Sequence, residues 1–88
     1  MNELSAKLGV RNDGKSSRVI YIEPWGEDYT LRRGESMEVL AIGKTASPWF
    51  AVVESEEGMQ VYVEGDRGVD VTVWQAGVQV HCGHNRGQ

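Results

Sequence analysis

Apolar and polar residues alternate with a period of two along much of the chain. Because successive side chains of a strand point to opposite faces, this alternation is typical of strands with one buried face. The clearest runs lie at 59–64, 69–74 and 78–82, and turn residues recur about every eight to twelve residues. The pattern predicts a single all-β domain over residues 1–88, a small antiparallel β-sandwich, immunoglobulin-like or similar, with seven or eight strands.

Glycine, proline and short polar runs bound the predicted strands. We expect strands near 4–11, 18–23, 29–31, 36–42, 49–54, 59–64, 69–74 and 78–82. The segment 12–14, Asn-Asp-Gly, tolerates positive φ and predicts a hairpin turn between the first two strands. Leu4 and Leu8 also fit one helical turn, so a short helix stays an alternative for the first segment.

The last predicted turn fixes a register for the strands beside it. A two-residue turn at 76–77 pairs Val73 with Val80. The same register pairs Thr72 with His81. Cys82 continues the phase of Val80, and we therefore expect a buried thiol that behaves as a small apolar group.

The segment 64–68 predicts a second hairpin in the same sheet. The pairs that it predicts are Val63 with Val69, Tyr62 with Asp70, and Gln60 with Thr72. Valines then line one face of the sheet for the core. The other face carries a candidate binding surface of aromatic and polar side chains: Tyr62, Asp70, Thr72, Trp74 and His81.

The segment 49–54 is almost entirely apolar and is interpreted as a strand buried on both faces. On this interpretation, truncation of Trp49 to alanine costs several kcal/mol, on the order of 3–5. Trp74 lies on the predicted outer face, where truncation costs no more than about 1 kcal/mol.

Trp25 and Tyr29 flank acidic residues in a predicted loop and are a second candidate site. Exposed loop aromatics of this kind form ligand platforms in many binding proteins. The structural alternative, which we favour, is that Trp25 folds back over the open end of a small core, where its burial stabilises the fold.

The distribution of charge argues against nucleic-acid binding. The 88 residues carry nine basic and thirteen acidic side chains, a net charge of −4. Four of the bases lie within residues 1–18, and the remainder of the chain is strongly acidic. Without a basic stripe to neutralise phosphates, we expect no binding to nucleic acid.

Cysteine and hydropathy indicate a cytoplasmic protein. Cys82 is the one cysteine, so no intramolecular disulfide can form, and no segment has the apolar length of a signal peptide or a membrane span. We therefore expect no contact with membranes.

The end of the chain contains a cluster with metal-ligand chemistry. His81, Cys82 and His84 are potential ligands for zinc or copper and suggest a cupredoxin-like alternative. A structural zinc site needs four ligands, and neighbouring strand residues point to opposite faces, so we expect no metal and no cofactor.

No catalytic constellation is present in the sequence. No serine has a histidine in a motif context, and no glycine-rich phosphate loop occurs. The acidic residues at 54–57 are typical of a solvated turn. We therefore expect a protein that is not an enzyme.

The segment 22–35 carries Glu-Pro-Trp-Gly, then Tyr-x-Leu-x-x-Gly-Glu. It resembles small uncharacterised bacterial proteins that carry these motifs ahead of a β meander, and this resemblance implies a bacterial all-β protein without implying an activity. The Leu-x-x-Gly-Glu half also resembles the strand-turn-strand corner of many bacterial β-sandwiches. There a proline often precedes the glycine, whereas this chain has Arg33.

These observations together favour a non-enzymatic interaction module. Its aromatic and polar sheet face suits a protein or carbohydrate partner, because aromatic side chains are enriched in binding surfaces. A sandwich of this size also leaves edge strands unpaired, and we expect a weak homodimer on that ground.

Overall fold

Eight β-strands and no helix make up the computed structural model, which describes residues 4–81. The strands are β1 (Ser5–Arg11), β2 (Arg18–Glu23), β3 (Glu27–Leu31), β4 (Ser36–Ile42), β5 (Trp49–Ser55), β6 (Gly58–Glu64), β7 (Asp70–Gln75) and β8 (Val78–Val80). They confirm the predicted all-β sandwich. The first segment is a strand, which settles the alternative of a helical turn.

The strands form two four-stranded sheets. Sheet A has the order β1-β4-β7-β8, and sheet B has the order β3-β2-β6-β5. Five of the six strand pairs are antiparallel, but β2 and β6 run parallel, with Ile20 opposite Met59. The prediction of antiparallel pairing throughout is therefore wrong at this one position.

One apolar core lies between the two sheets. Six strands contribute buried residues to it, at alternate positions where there is more than one, whereas β5 and β8 add only the partly buried Phe50 and Val80. The buried members are Val10, Ile20, Ile22, Tyr29, Leu31, Met37, Val39, Ala41, Val61, Val63 and Val73. Because both sheets bury one face in this core, their outer faces point in opposite directions.

The predicted hairpin at 12–14 is wrong because the chain crosses between the sheets there. β1 pairs with β4, and β2 pairs with β3 and β6. Asn12 is 4% exposed, and its side-chain nitrogen donates to the carbonyls of Leu31 at 2.8 Å and Ser16 at 2.9 Å. Asn12 therefore anchors a crossover to the end of β3, and its side-chain oxygen accepts a hydrogen bond from the Gly14 amide at 2.9 Å in a local turn that does not join paired strands.

The predicted hairpin at 64–68 is wrong for the same reason. β6 belongs to sheet B and β7 to sheet A, so the pairs of Val63 with Val69, Tyr62 with Asp70, and Gln60 with Thr72 do not form. A period of two indicates which side chains of a strand share a face, but it does not indicate which strand lies beside it.

The hairpin at 76–77 is confirmed. Ala76 and Gly77 both have positive φ, at 51° and 79°, which matches the two-residue turn that joins twisted antiparallel strands. Val73 pairs with Val80 as predicted. β8 ends at Val80, however, so the predicted pair of Thr72 and His81 is not part of the ladder.

β5 is the largest departure from the predicted burial. It is the edge strand of sheet B, and Trp49, Val52 and Val53 are 58%, 45% and 48% exposed. The prediction of a strand buried on both faces is therefore wrong. Phe50 alone of its larger side chains packs against the core.

Candidate functional site

The outer face of sheet B, at the end where β2 and β6 terminate, carries a cluster of exposed aromatic and half-buried acidic side chains. We name this cluster the acidic aromatic surface. It comprises Glu23, Trp49, Tyr62 and Glu64, with Trp25 at its rim.

Strand register brings the members of this surface together. Trp49 of β5 lies opposite Glu64 of β6, and Tyr62 lies opposite Glu23 of β2. Tyr62 and Glu64 are two residues apart on one strand and therefore share a face. Side chains that are direct or diagonal neighbours across strands lie about 5–8 Å apart, within reach of one ligand.

The aromatic side chains of this surface are exposed to solvent. Tyr62 is 38% exposed and Trp25 is 42% exposed, in addition to the more exposed Trp49. Most large aromatic rings in a small protein are buried, because each ring contributes a large apolar area to the core. Three exposed rings at one end of sheet B therefore form a candidate binding surface.

The charge of this face is entirely negative. Its outward positions carry Glu23, Asp28 and Glu64, and no lysine or arginine lies at an outward position of β2, β3, β5 or β6. Within residues 4–81, neither Glu23 nor Glu64 forms an ion pair. Their charges are therefore available to a ligand with the opposite charge.

A cleft of about 340 Å³ adjoins the surface at the end of the sandwich. Trp25 lies on one side of it, on the turn after Pro24, and Glu64 and Arg67 lie on the other. The cleft reaches Val63 and Val69, which belong to the core or pack against it. Trp25 thus covers part of the open end of the core, while the rest of its ring faces solvent.

The loop before Trp49 is held by Asp66. One carboxylate oxygen of Asp66 accepts hydrogen bonds from the amides of Lys44, Thr45 and Ala46, at 2.8, 2.5 and 3.0 Å, and from the Thr45 hydroxyl at 3.0 Å. The other oxygen accepts from the Gly68 amide at 2.9 Å. The β4–β5 and β6–β7 loops are therefore fixed to each other beside the acidic aromatic surface.

These hydrogen bonds also determine the ionisation of Asp66. The amide of Thr45 makes the largest contribution, and with the amides of Ala46 and Lys44 it holds the pKa of this carboxyl well below its usual range. Partial burial acts in the opposite direction and is outweighed. Asp66 is consequently a charged acceptor that organises the loops.

The candidate residues predicted from sequence are divided between the two sheets. Asp70, Thr72 and Trp74 lie on β7 in sheet A, whereas Tyr62 lies on β6 in sheet B. Since the outer faces of the sheets point in opposite directions, these residues do not form one surface. His81 is exposed after the end of β8.

Trp74 is held within sheet A by a hydrogen bond from its ring. Its indole nitrogen donates to the Thr72 hydroxyl at 2.8 Å, and the ring is partly buried. Glu38 lies opposite it on β4, and Lys7 forms an ion pair with this carboxylate at 4.0 Å.

The candidate platform of Trp25 and Tyr29, which the sequence analysis did not favour, does not form. Tyr29 is 6% exposed, packs in the core, and donates its hydroxyl to Glu27 at 3.1 Å. Trp25 alone remains at the surface and joins the acidic aromatic surface instead.

Sequence reasoning missed Trp49, Glu23 and Glu64 as site residues. Glu64 does continue the outward phase of Tyr62, and that phase could have identified it. The position of Trp49 could not be deduced in this way, because an apolar run looks the same at a sheet edge and at a sheet centre.

The alternative of a metal site at His81, Cys82 and His84 stays an alternative that the described residues do not test. His81 is the last described residue, and Cys82 and His84 lie outside the described residues. Within residues 4–81, no group of three or more His, Cys, Asp or Glu side chains could hold a metal ion. The same part of the chain contains no helix long and apolar enough to cross a membrane.

No protein-family model matches the chain, and no curated protein or solved structure matches it significantly. The resemblance of 22–35 to small bacterial β proteins therefore stays a prediction, as does the cytoplasmic location. The motif itself forms the β2–β3 hairpin and the turn into β4.

Proposed function

We propose that this protein is a non-enzymatic binding module whose acidic aromatic surface recognises a cationic segment of a partner protein. The observation that carries the proposal is the coincidence, on one sheet face, of exposed Trp49 and Tyr62 with the carboxylates of Glu23 and Glu64. These carboxylates form no ion pair within residues 4–81. Aromatic rings attract a lysine or arginine cation through their negative faces, and a neighbouring carboxylate supplies the ionic contact.

The chemistry of the surface favours a cationic ligand over a neutral one. An uncompensated carboxylate loses part of its hydration when an uncharged ligand covers it, which costs free energy. A cation compensates for this loss. The negative face also attracts a positive ligand over a distance of about 10 Å at moderate salt, which raises the rate of association.

The test is a calorimetric titration with short peptides of defined charge. We expect a peptide of alternating lysine and glycine to bind, with an affinity that falls as salt is added, and a peptide of alternating glutamate and glycine not to bind. Replacement of both carboxylates, E23Q and E64Q together, should lower the affinity by about tenfold or more.

The matched control removes acidic charge from the opposite face. Glu38 is exposed on the outer face of sheet A and is already paired with Lys7. E38Q combined with D70N makes the same change in net charge as the double variant of sheet B and should leave peptide affinity within about twofold. Equal losses in both double variants would reduce the effect to net charge and overturn the proposal. Binding of a neutral oligosaccharide that survives E23Q/E64Q, without lysine-peptide binding, would assign the surface to carbohydrate instead.

A further inference from the structure

We infer that the β5 edge of sheet B is a self-association edge, at which two copies of this chain pair their β5 strands antiparallel about Val52. The inference concerns the free edge of β5, whose first residue, Trp49, also belongs to the acidic aromatic surface, and it does not depend on the proposed function.

The four sheet edges differ in how they are protected from pairing. β1 carries the cations Lys7 and Arg11 among its exposed residues, β8 has three residues, and β3 has five, with acidic side chains at Glu27 and Asp28. Charges and short length are the usual devices that keep an edge from adding another strand.

β5 has less protection of this kind than the other three edges. It is seven residues long, contains no proline or glycine, and carries one charged residue, Glu54. That carboxylate forms an ion pair with Arg18 of its own chain. The backbone groups that point away from β6 are therefore flanked by apolar side chains.

The exposure of β5 on both faces indicates that the partner bound at this edge is another strand. Val53 has the outward phase of sheet B, whereas Val52 lies opposite Val61 and has the phase of the core. Val52 is nevertheless about as exposed as Val53, because the facing sheet does not cover this edge. A ligand bound to one face would cover one of them, whereas an added strand covers both.

A second copy fits this edge without repulsion between like charges. In an antiparallel pair centred on Val52, the two copies of Val52 face each other, and Ala51 faces Val53. The two Glu54 carboxylates then lie about 14 Å apart along the strands, more than a screening length at physiological salt. The pairing brings no like charges together, and its twofold symmetry closes it at a dimer.

Analytical ultracentrifugation over a concentration series tests the dimer. We expect the average mass of the native protein to rise towards twice the monomer mass as the concentration increases to about 1 mM, a range in which weak association is measured. V52K should remain monomeric at every concentration, because a buried lysine pair opposes the contact.

The matched control is V78K. Val78 is 64% exposed on β8, the edge of the other sheet, so this variant makes the same change in side chain and net charge. It should dimerise like the native protein. Circular dichroism of both variants shows whether they fold, and amide exchange of the native chain supplies a measurement without variants: β5 amides should become protected as the concentration rises.

Several outcomes would overturn the inference: a native protein that is monomeric throughout the series, equal loss of dimer in V52K and V78K, or growth beyond a dimer. The result is separable from that of the proposed function, because V52K should bind the lysine peptide as the native chain does. Salt separates the two interactions as well. Added salt should strengthen the contact between two copies of net charge −4 and weaken the contact with a cationic peptide.

Discussion

The outer faces of the two sheets have the same strand geometry but different arrangements of charge. On sheet A, Lys7 lies within reach of Glu38, and the indole of Trp74 is held against Thr72. On sheet B, Glu23 and Glu64 have no ion-pair partner within the described chain, and Trp49 is more than half exposed.

On the proposed function, this difference separates side chains that stabilise the fold from side chains that recognise a partner. Side chains that satisfy one another across strands stabilise a sheet, by a few tenths to about 1 kcal/mol per pair. Side chains that leave their charges and rings unsatisfied contribute little to the fold and retain their interactions for a ligand. Three measurements on the folded protein sharpen the distinction.

The largest effect is expected at Tyr29, which the sequence groups with Trp25 and the structure places in the core. Tyr29→Ala should lower the free energy of unfolding by about 3–5 kcal/mol, because it removes a buried ring. Trp25→Ala should cost about 1 kcal/mol, since the ring is partly exposed at the rim. Urea denaturation measures both. Equal losses would show that Trp25 belongs to the core and not to the acidic aromatic surface.

A smaller change in the free energy of unfolding is expected when Trp74 or Trp49 is replaced by alanine. Trp74→Ala should cost about 2–3 kcal/mol through lost packing and the lost hydrogen bond to Thr72. Trp49→Ala should cost about 1 kcal/mol and abolish binding of the lysine peptide. This is the reverse of the order that the sequence predicts. If Trp49→Ala is the more damaging variant in urea, sheet B does not have the exposed edge described above.

The smallest effect at neutral pH is expected from the ionisation of Asp66. Its pKa is lowered in the folded state, so its contribution to stability is complete above the unfolded value of about 3.9 and is lost as the pH falls through the folded value. The contribution of Asp66 to the melting temperature should therefore stay constant between pH 5 and 8 and decline in acid.

Asp66→Asn provides the control for this pH dependence. The variant should melt at a lower temperature than the native protein at pH 7, because an amide is a weaker acceptor for the loop N–H groups. Its acid decline should be shallower. A native and a variant protein with parallel acid profiles would exclude Asp66 as the titrating group.

Side-chain periodicity predicted the strands well, because the face of each residue depends on the chain itself. Val61, Val63 and Val73 are buried as their alternation indicates, and the turn at 76–77 follows from its two residues. The order of the strands in the sheets could not be predicted in this way. Asn12 is a residue type typical of hairpin turns, but it is buried and donates a hydrogen bond to the carbonyl of Leu31. A contact between residues so far apart in sequence cannot be predicted from a local pattern.

The candidate site could be predicted only in part for the same reason. The outward phase of Tyr62 was clear, yet its neighbours depend on the pairing of β6 with β2 and β5 rather than with β7. Trp49 became a surface residue because β5 is an edge. The pairing of β6 and the edge position of β5 both depend on how strands distant in sequence are arranged.

The interleaved strand order has a consequence for how the chain folds. Sheet A joins strands from the first eleven residues to residue 80, and sheet B joins strands from 18 to 64, so neither sheet can be completed from one half of the chain. Proteins whose contacts are mostly non-local fold slowly, in milliseconds to seconds. During synthesis, β5 emerges before β7 and β8 have closed the opposite sheet, and its unprotected edge is then exposed beside an incomplete core. The same strand that suits a dimer in the finished protein is thus the segment most open to mispairing while the protein is being made.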